Sequence, residues 1–308
     1  NCFLMNKRVF ITGVSGFLGS RIAQELIKNG FELIALKRIN SDLSRCSEFF
    51  EHVSWIDISE NWEQEVLVLN PQIIIHTAWE GVGANERDNW QMQTHNVQFT
   101  LKLLLIAKKL KIEKFIAFGS QAEYGHFSGI INEEHVAQPI SAYGLSKNIC
   151  SQTVKVFCEQ NNIVWFWLRL FSFFGERESS NWFIPSLIKN ILEEKTMDMT
   201  PGEQQYAYMY VGDLAQIICD LISSSATSGI YNVSSKYAFS LKDIVEKIIQ
   251  IIKPLKSHVN FGAIPYRANQ PMLIQGDVAK LEKEIGEFKE TPFDLNLKKV
   301  VEYMANNR

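Results

Sequence analysis

Three glycines between a predicted strand and a predicted helix constrain the fold of this chain most. Residues 8–12 form a short β-rich run, Gly13, Gly16 and Gly19 follow, and residues 17–28 repeat apolar side chains with helical spacing. Glycines in this position let the backbone approach a pyrophosphate at the helix N-terminus. The pattern predicts a dinucleotide-binding unit, whereas the alternative for these glycines alone is a tightly packed turn.

Strand and helix patterns alternate through the N-terminal half of the chain. Strand-like runs lie at residues 32–36, 53–56, 73–76, 115–118 and 163–170, and helical patterns lie at residues 62–69, 91–110 and 146–160. Such alternation is typical of a parallel sheet that helices cover on both faces. We therefore expect an α/β fold, a Rossmann doubly wound parallel sheet.

The pattern becomes less regular after Gly175. Helices are expected at residues 184–194, 213–222, 241–252, 278–285 and 295–303, and strands at residues 206–211 and 230–233. The sequence predicts a dinucleotide-binding Rossmann domain at residues 5–174, to which residues 208–234 return. A smaller interleaved C-terminal substrate domain is expected at residues 175–207 and 235–308, where it caps the carboxyl ends of the strands.

Charge and cysteine content exclude several other classes of protein. The 308 residues carry 31 basic and 34 acidic side chains, a net charge of -3, without the dense lysine or arginine tract of a nucleic-acid-binding protein. Five scattered cysteines without a C-x-x-C pair argue against a disulfide framework or a zinc site. The most apolar run, residues 163–174, is interrupted by Arg169 and is shorter than the roughly 20 residues that span a bilayer. Residues 1–8, in which Met5 is a candidate start, lead into a strand without the apolar stretch and cleavage site of a signal peptide. With reduced thiols, we expect a cytoplasmic protein that does not bind membranes.

A tyrosine and a lysine in the stretch Ser141-Ala-Tyr-Gly-Leu-Ser-Lys147 indicate hydride transfer when they accompany a dinucleotide site. Tyr143 and Lys147 are related as i and i+4, positions that share one face of a helix. We expect the Lys147 ammonium to lower the pKa of the Tyr143 phenol. Its reference pKa of about 10 would otherwise make it a poor base at neutral pH.

The end of the second predicted strand indicates which dinucleotide binds. An acidic side chain there accepts hydrogen bonds from the ribose of NAD, whereas a basic one accommodates the extra phosphate of NADP. Lys37 and Arg38 are adjacent cations without a carboxylate in their segment, which favours NADP(H) over NAD(H). The other interpretation is a solvated basic strand end. Asp57, after the third strand, is placed either to touch the adenine or to cap a helix.

Together these motifs resemble the extended short-chain dehydrogenase/reductase family, also called the NAD-dependent epimerase/dehydratase family. The resemblance covers essentially the whole chain and also rests on Phe118-Gly-Ser-Gln-Ala-Glu-Tyr-Gly125, Tyr208-Met-Tyr-Val-Gly-Asp213 and the loop of Arg267. Within the family, residues 77–81, 119–125 and 200–204 are similar to the CDP-abequose synthase and dTDP-fucose synthase branch of 4-keto-6-deoxyhexose reductases.

The resemblance implies a role for each matching position. Its implied catalytic residues are Ser120, which bonds the reacting oxygen, Tyr143, the proton donor, Lys147 and Asn96. The implied cofactor-binding residues are Gly13, Ser15, Gly16, Phe17, Leu18, Gly19, Lys37, Arg38, Asp57, Ile58, Thr77, Ala78, Tyr143 and Lys147. The implied substrate-binding residues are Trp79, Gln121, Glu123, Ser172 and Arg267.

Departures from the family pattern narrow the chemistry. Ala122 stands where dehydratases and uronic acid decarboxylases carry Glu and GDP-fucose synthases carry Cys, and Gln121 stands where dehydratases carry Asp. The chain therefore lacks both carboxyl groups that dehydratases use for elimination. The chemistry that it can still perform is hydride transfer, which occurs once in a reductase and twice in an epimerase. Ser172 replaces a substrate-binding asparagine and Tyr206 an arginine, which leaves Arg267 as the candidate for the diphosphate, with a surface salt bridge as its alternative.

By resemblance, we expect NADPH-dependent reduction of the 4-keto group of a CDP- or dTDP-linked 4-keto-6-deoxyhexose, for surface polysaccharide biosynthesis. The alternatives are a nucleotide-sugar 4-epimerase with tightly bound NAD and a non-catalytic dinucleotide-sensing protein. The expected partners are the nucleotide-sugar substrate and, by the same resemblance, a second copy of the chain in a homodimer. No metal is expected, because no pair of histidines has helical ligand spacing with a carboxylate.

Overall fold

The computed structural model describes residues 7–256 and 259–307. Cys2, Met5 and the expected domain start at residue 5 lie outside the described residues. The strands are β1 (Arg8–Thr12), β2 (Glu32–Lys37), β3 (Val53–Asp57), β4 (Ile73–His76), β5 (Lys114–Ser120), β6 (Gly129–Ile131), β7 (Val164–Leu170), β8 (Ser172–Phe174), β9 (Met197–Met199), β10 (Gln205–Tyr206), β11 (Tyr208–Tyr210), β12 (Gly229–Val233), β13 (Phe239–Ser240), β14 (Val259–Phe261) and β15 (Leu273–Gly276). The α-helices are α1 (Phe17–Lys28), α2 (Trp62–Leu69), α3 (Trp90–Leu110), α4 (Ala142–Gln160), α5 (Phe183–Leu192), α6 (Val211–Ser223), α7 (Leu241–Ile252), α8 (Ala279–Ile285) and α9 (Phe293–Asn306).

Seven parallel strands form the largest sheet, in the order β12-β7-β5-β4-β1-β2-β3. The central strands β1, β4, β5 and β7 are almost entirely buried, which explains why they read as continuous apolar runs in the sequence. The expected α/β Rossmann doubly wound sheet is confirmed. Its strand order reverses between β1 and β4, and such a point is where these sheets bind ligands.

Helices cover both faces of this sheet. On one face α1 and α6 pack together, and their core side chains include Ile22, Leu26 and Leu214. On the other face α3 packs against α4, with Leu103 and Val154 in the core. Both layers bury apolar stripes, so the sheet is a rigid platform for the loops at its carboxyl edge.

The C-terminal part adds short strands and a separate apolar core. Side chains of α5, α7 and α9 form this core. A second sheet has the order β13-β10-β15-β6, and β8 pairs with β11 in a two-stranded sheet that sets Ser172 opposite Tyr208. Because β8 follows β7 after a single residue, this pair lies just beyond the carboxyl edge of the main sheet.

Two elements near that edge differ from their sequence expectation. α4 begins at Ala142 rather than at residue 146, because the Ser141 hydroxyl accepts a hydrogen bond from the Gly144 amide at 3.1 Å and caps the helix before its apolar pattern starts. The expected strand at residues 206–211 is two strands. The chain changes partners at the buried Ala207, since β10 pairs with β15 and β11 pairs with β8.

Neither a membrane-spanning helix nor a metal cluster occurs in the described part of the chain. Within residues 7–256 and 259–307, no helix is both long and apolar enough to cross a membrane. The same residues contain no group of three or more metal-ligating side chains. The cysteines among them are buried and unpaired: Cys46, Cys150, Cys158 and Cys219.

Candidate active site

The glycine loop has a shape that an added side chain would disrupt. Gly13 has a φ of +76°, and a Cβ there would lie 2.5 Å from Thr77 Oγ1. A Cβ at Gly19 would lie 2.2 Å from the Gly13 carbonyl oxygen. Gly16 is exposed at the N-terminus of α1, which no side chain of the described residues caps. This helix end fits a pyrophosphate, since its backbone amides and the positive end of the helix dipole attract an anion.

The ends of β1 and β4 are tied together beside this loop. Thr77 Oγ1 donates to the Thr12 carbonyl oxygen at 2.7 Å, and the Ala78 amide donates to Thr12 Oγ1 at 3.4 Å. Arg45, which follows β2, donates to the Ser15 carbonyl oxygen at 3.4 Å. The predicted cofactor residues that lie on these segments, besides the glycines, are Ser15, Phe17, Leu18, Thr77 and Ala78.

The basic end of β2 is accompanied by carboxylates in the folded chain. Parallel pairing of β2 with β3 sets Lys37 opposite Asp57, and the two side chains form an ion pair. Arg38 Nη1 lies 2.9 Å from Glu80 Oε1, and these side chains are 72% and 54% exposed. The Ile58 amide donates to the Lys37 carbonyl oxygen at 2.8 Å. Lys37 and Arg38 have no carboxylate in their own segment, but β3 and the loop after β4 supply one to each of them in the folded chain.

Ser120 and Tyr143 meet at the carboxyl end of β5. Ser120 is the last residue of β5, and its hydroxyl accepts a hydrogen bond from the Ala122 amide at 3.1 Å. The Ser120 hydroxyl also acts on the Tyr143 phenol, where it lowers the pKa. Tyr143 lies in the first turn of α4 and is buried. Two hydroxyl groups at the same strand end can contact a single oxygen of a bound substrate.

Lys147 lies one turn further along α4, but its ammonium does not contact the Tyr143 phenol ring. Nζ donates to the Phe118 carbonyl oxygen and lies 3.5 Å from the centre of the Trp79 ring. The centre of the Tyr143 ring is 5.9 Å away. Burial lowers the pKa of Lys147 to about 7. This ammonium is therefore held by a carbonyl and an aromatic face rather than by a carboxylate.

The pKa of Tyr143 moves in the direction opposite to the sequence expectation. Burial raises it, and the Ser120 hydroxyl and the charge of Arg87 only partly oppose this. The Arg87 guanidinium lies over the phenol ring, with Cζ 5.1 Å from the ring centre. The expectation that Lys147 lowers this pKa is wrong here, because the phenol is desolvated and the ammonium is turned toward Trp79. A phenol that keeps its proton at neutral pH suits the role of proton donor.

Asn96, predicted as catalytic, holds the backbone of the loop after β4. Its Oδ1 accepts a hydrogen bond from the Glu80 amide at 3.0 Å, and its Nδ2 donates to the Glu80 carbonyl oxygen at 2.9 Å. One turn earlier on α3, Gln93 Oε1 accepts from Trp79 Nε1 at 2.9 Å. Gln93 is absent from the sequence predictions, and its position one turn before Asn96 is the only signal that could have found it.

Glu123, predicted to bind substrate, lies behind the site instead. It is fully buried, and its carboxylate accepts hydrogen bonds from the Ser120 amide at 2.8 Å, Trp167 Nε1 at 2.9 Å and Arg169 Nε at 2.9 Å. A Cβ at Gly119 would lie 2.3 Å from Glu123 Oε1. The structure leaves this side chain no surface for a substrate, and its contacts fix the end of β5.

Three other predicted substrate residues lie on segments beyond the strand ends. Gln121 follows Ser120, and its Oε1 is buried without a hydrogen-bond partner among the described residues. Ser172 lies in β8 and is half-buried. Arg267 lies in an exposed loop, where its charge acts on Tyr206. No carboxylate within residues 7–256 and 259–307 forms an ion pair with Arg267.

Glu178, a half-buried residue near these segments, carries a further carboxyl group. Its Oε2 is buried without a hydrogen-bond partner in the described part of the chain, and burial raises the pKa of Glu178 to about 8. The charge of Glu178 acts on Tyr208, which pairs with Ser172. No motif marks Glu178 in the sequence, because its burial depends on how residues 175–182 fold.

Comparison with known proteins identifies relatives along most of the chain. A model of the family described as the NAD dependent epimerase/dehydratase family matches residues 9–234. CDP-abequose synthase from Salmonella muenchen is 26% identical over 272 residues, and the alignment covers 87% of this chain and 88% of that protein. dTDP-6-deoxy-L-talose 4-dehydrogenase (NAD(+)) from Aggregatibacter actinomycetemcomitans is 27% identical over 277 residues, covering 87% of this chain and 98% of that protein. The predicted family resemblance is confirmed.

Solved structures share the whole fold at low sequence identity. UDP-N-acetylglucosamine 4-epimerase from Methanobrevibacter ruminantium M1, in complex with UDP-N-acetylmuramic acid, has a TM-score of 0.88 and 22% identity, covering 99% of this chain and 100% of that chain. UDP-glucuronic acid 4-epimerase from Bacillus cereus, in complex with UDP-glucuronic acid and NAD, has a TM-score of 0.85 and 21% identity, covering 98% and 100%.

Proposed function

The chain belongs to the NAD dependent epimerase/dehydratase family, and on this premise we propose that it reduces the 4-keto group of a nucleotide-linked 4-keto-6-deoxyhexose. Enzymes of this family act on nucleotide sugars. The relatives include proteins named for the synthesis of CDP-abequose and for 4-dehydrogenation of dTDP-6-deoxy-L-talose. We therefore propose a CDP- or dTDP-linked sugar as substrate, for surface polysaccharide biosynthesis.

This proposal rests on a catalytic trio that has, among the described residues, no neighbouring side chain available to act as a general base. The trio consists of Ser120, Tyr143 and Lys147. Ala122 and Gln121 carry neither an acid nor a base, and Glu123 is held by Arg169 at 2.9 Å. Burial raises the pKa of Glu178 to about 8, so most of this carboxyl group is protonated at pH 7. Removing a proton from a carbon beside the carbonyl requires a base within hydrogen-bond reach, so this site favours hydride transfer alone.

The three residues of the trio have separate tasks. NADPH, when bound, supplies the hydride. Ser120 polarises the substrate carbonyl, and Tyr143 gives its proton to the oxygen as negative charge develops there. The raised pKa of Tyr143 supports this direction of reaction, because the phenol enters it protonated. Lys147 holds the nicotinamide ribose.

We infer a preference for NADP(H) from the exposed cation at the end of β2. Arg38 is 72% exposed, and its ion pair with Glu80 is a surface pair worth about 0–1 kcal/mol. A phosphate group with a charge of about -1.5 to -2 competes strongly for that guanidinium. Lys37 adds a second cation next to it. The Bacillus cereus structure, which holds NAD, supports the opposite preference, and comparing the affinities of the two cofactors decides between them.

The substrate contacts are proposed on the side of the shorter strands. Arg267 binds the diphosphate, because a guanidinium can hold it bidentately and no ion pair within the described residues occupies it. The buried Gln121 Oε1 accepts a hydrogen bond from a sugar hydroxyl. Ser172, which follows the neighbouring strand β7, also binds the substrate. Residues 175–207 and 235–308 would then form the substrate domain, and residues 5–174 with 208–234 the cofactor domain.

A homodimer is proposed from the outer faces of α3 and α4. These helices pack together, yet Leu101, Leu105, Ile149 and Val156 on them remain 44–51% exposed. A second copy of the chain would cover these side chains across a two-fold axis. Light scattering tests this proposal, since Leu105→Glu with Ile149→Glu should convert a dimer to a monomer.

The proposed reaction is tested by incubating the chain with NADPH and 4-keto-6-deoxyhexoses linked to CDP, dTDP, GDP or UDP, with products identified by NMR. A single 4-hydroxy product with one NADPH consumed per sugar supports the reductase. The same trio would also serve a 4-epimerase, which interconverts 4-hydroxy sugars, keeps its cofactor through dialysis and consumes none. A dinucleotide-sensing protein would convert no sugar at all.

A further inference from the structure

The indole ring of Trp79 covers the ammonium group of Lys147. Nζ lies 3.5 Å from the ring centre, well inside the distance of about 6 Å at which a cation is attracted to an aromatic face. The same ring meets Tyr143 edge to face, with ring centres 6.2 Å apart and planes at 87°. We propose that Trp79 is a positioning residue, which holds Lys147 in its charged form within the site through a cation–π interaction.

Trp79 is itself fixed by α3. Gln93 is fully buried, accepts a hydrogen bond from Trp79 Nε1 at 2.9 Å and donates through Nε2 to the Gly81 carbonyl oxygen at 3.0 Å. Gly81 has a φ of +71°, and a Cβ there would lie 2.7 Å from Gln93 Nε2. Asn96 binds both backbone groups of Glu80. The ring cannot leave Lys147 without breaking these contacts. Gln93 and Asn96 therefore both hold the Trp79 ring against Lys147.

The charged groups around Lys147 do not include an ion-pair partner among the described residues, so the Trp79 ring contributes to stabilising its ammonium. No carboxylate within residues 7–256 and 259–307 forms an ion pair with its ammonium, which is buried. The titratable and charged groups around it are Glu123 from the turn after β5, Arg169 paired with Glu123, Cys150 and Tyr143 from α4, His76 from β4, and Arg87 over the Tyr143 ring. Cys150 and Glu123 favour the charged form, and burial disfavours it more strongly.

Removing the ring should therefore lower the pKa of Lys147 further. An aromatic face attracts the ammonium but not the neutral amine, so its loss destabilises only the charged form. The inference rests on the proposed function only in that Lys147 belongs to the dinucleotide site. The titration of Lys147 can be followed without any sugar substrate, so a failure of the reductase proposal would leave this test intact.

The first experiment compares Trp79→Leu with Trp79→Phe in the full chain. Leu keeps apolar packing and lacks a ring, whereas Phe retains a ring. Lysine labelled with 13C at Cε reports each titration by NMR, and the signal missing from Lys147→Arg identifies Lys147. We expect the midpoint to fall by about one pH unit in Trp79→Leu and by clearly less in Trp79→Phe. Equal shifts in the two variants, or no shift in Trp79→Leu, would overturn the proposal.

Binding of NADPH gives a second readout that needs no turnover. Calorimetry at about pH 6 and about pH 8 brackets the pKa of Lys147, which is about 7. If Trp79 keeps Lys147 charged, Trp79→Leu should weaken NADPH binding several-fold more at the higher pH than at the lower. An equal loss at both pH values would identify Trp79 as a packing residue only and contradict the proposal.

Fluorinated tryptophan covers the case in which Trp79→Leu does not fold. Fluorine weakens the attraction of the ring for a cation and nearly preserves its shape. In the chain with fluorinated tryptophan, the Lys147 midpoint should fall relative to the chain with ordinary tryptophan. Unchanged titration of Lys147 would overturn the proposal.

Discussion

The carboxylate of Glu123 and the guanidinium of Arg169 form an ion pair of 2.9 Å behind Ser120, with side chains only 0% and 4% exposed. The Arg169 guanidinium also lies over the Tyr124 ring, 4.4 Å from its centre. The Tyr124 hydroxyl in turn donates to Asn232 Oδ1 at 2.7 Å. This buried network joins three neighbouring strand ends and holds the Ser120 backbone in place.

Arg169→Met should lower the free energy of unfolding by about 3–5 kcal/mol, because Glu123 would stay buried without its counter-charge. Urea unfolding followed by circular dichroism measures the loss. The matched control is Lys298→Met, which removes an exposed pair with Glu302 at 3.8 Å and should cost less than about 1 kcal/mol. Equally small losses would show that the buried pair does not stabilise the site.

Tyr143→Phe should reduce kcat by about 10²–10⁴-fold, since the phenol gives a proton to charge that forms in the transition state. Its affinity for NADPH should stay nearly unchanged. Lys147→Met should lose both turnover and cofactor affinity. Steady-state kinetics and calorimetry separate these effects, and a near-normal rate for Tyr143→Phe would remove that residue from the mechanism.

Turnover should fall as the pH rises past about 7, because the pKa of Lys147 is lowered to about 7 by burial and the residue loses its charge there. Tyr143 does not cause this fall, since burial raises its pKa. Lys147→Arg stays charged and should abolish the fall in the pH profile of kcat/KM. An unchanged profile in that variant would assign the titration to another group.

The same titration predicts a stability effect with a definite sign. The pKa of Lys147 is about 7 in the folded chain, whereas its ordinary value, expected in the unfolded chain, is 10.5. Between these two pH values the unfolded chain binds more protons than the folded chain. The free energy of unfolding of the wild-type chain should therefore rise with pH relative to Lys147→Met.

NADPH should bind at least several-fold more tightly than NADH, and charge reversal at Lys37 and Arg38 together should abolish the preference. Glu80→Gln should have the opposite effect and strengthen NADPH binding. It removes the carboxylate that lies 2.9 Å from the Arg38 guanidinium, so the guanidinium is free to bind the phosphate. Calorimetric titration of both cofactors measures these effects. Equal affinities, or tighter NADH, would contradict the cofactor proposal.

Sequence patterns predict the limits of many helices and strands to within one residue where turn-forming residues stand at their ends. β1, β4, α1, α2 and α7 have the expected limits, because glycine, proline or a capping serine stands next to a regular apolar pattern. The pieces β6, β9, β13 and β14 hold two or three residues each, too few to show a period. Their positions depend on pairing partners far along the chain.

The site could be predicted as a set of residues but not as an electrostatic arrangement. Local spacing places Tyr143 and Lys147 on one helix face, whereas the direction of the ammonium depends on Trp79, which belongs to another strand end. The ion pair of Lys37 with Asp57 likewise arises from the register of β2 against β3. Burial reverses the expected pKa shift of Tyr143, and burial is a property of the whole fold.

In the proposed reaction this chain transfers one hydride to carbon 4 and moves no proton on the neighbouring carbons. The most direct measurement uses NADPH deuterated at the transferred position in ordinary water, and unlabelled NADPH in deuterated water, with the product analysed by NMR. We predict cofactor deuterium on carbon 4 and no solvent deuterium on carbons 3 and 5 above a control without enzyme, because Ala122 and Gln121 supply no base and Glu123 is buried against Arg169. Enzyme-dependent solvent deuterium on carbon 3 or 5, or sugar conversion without consumption of NADPH, would contradict the proposed reaction.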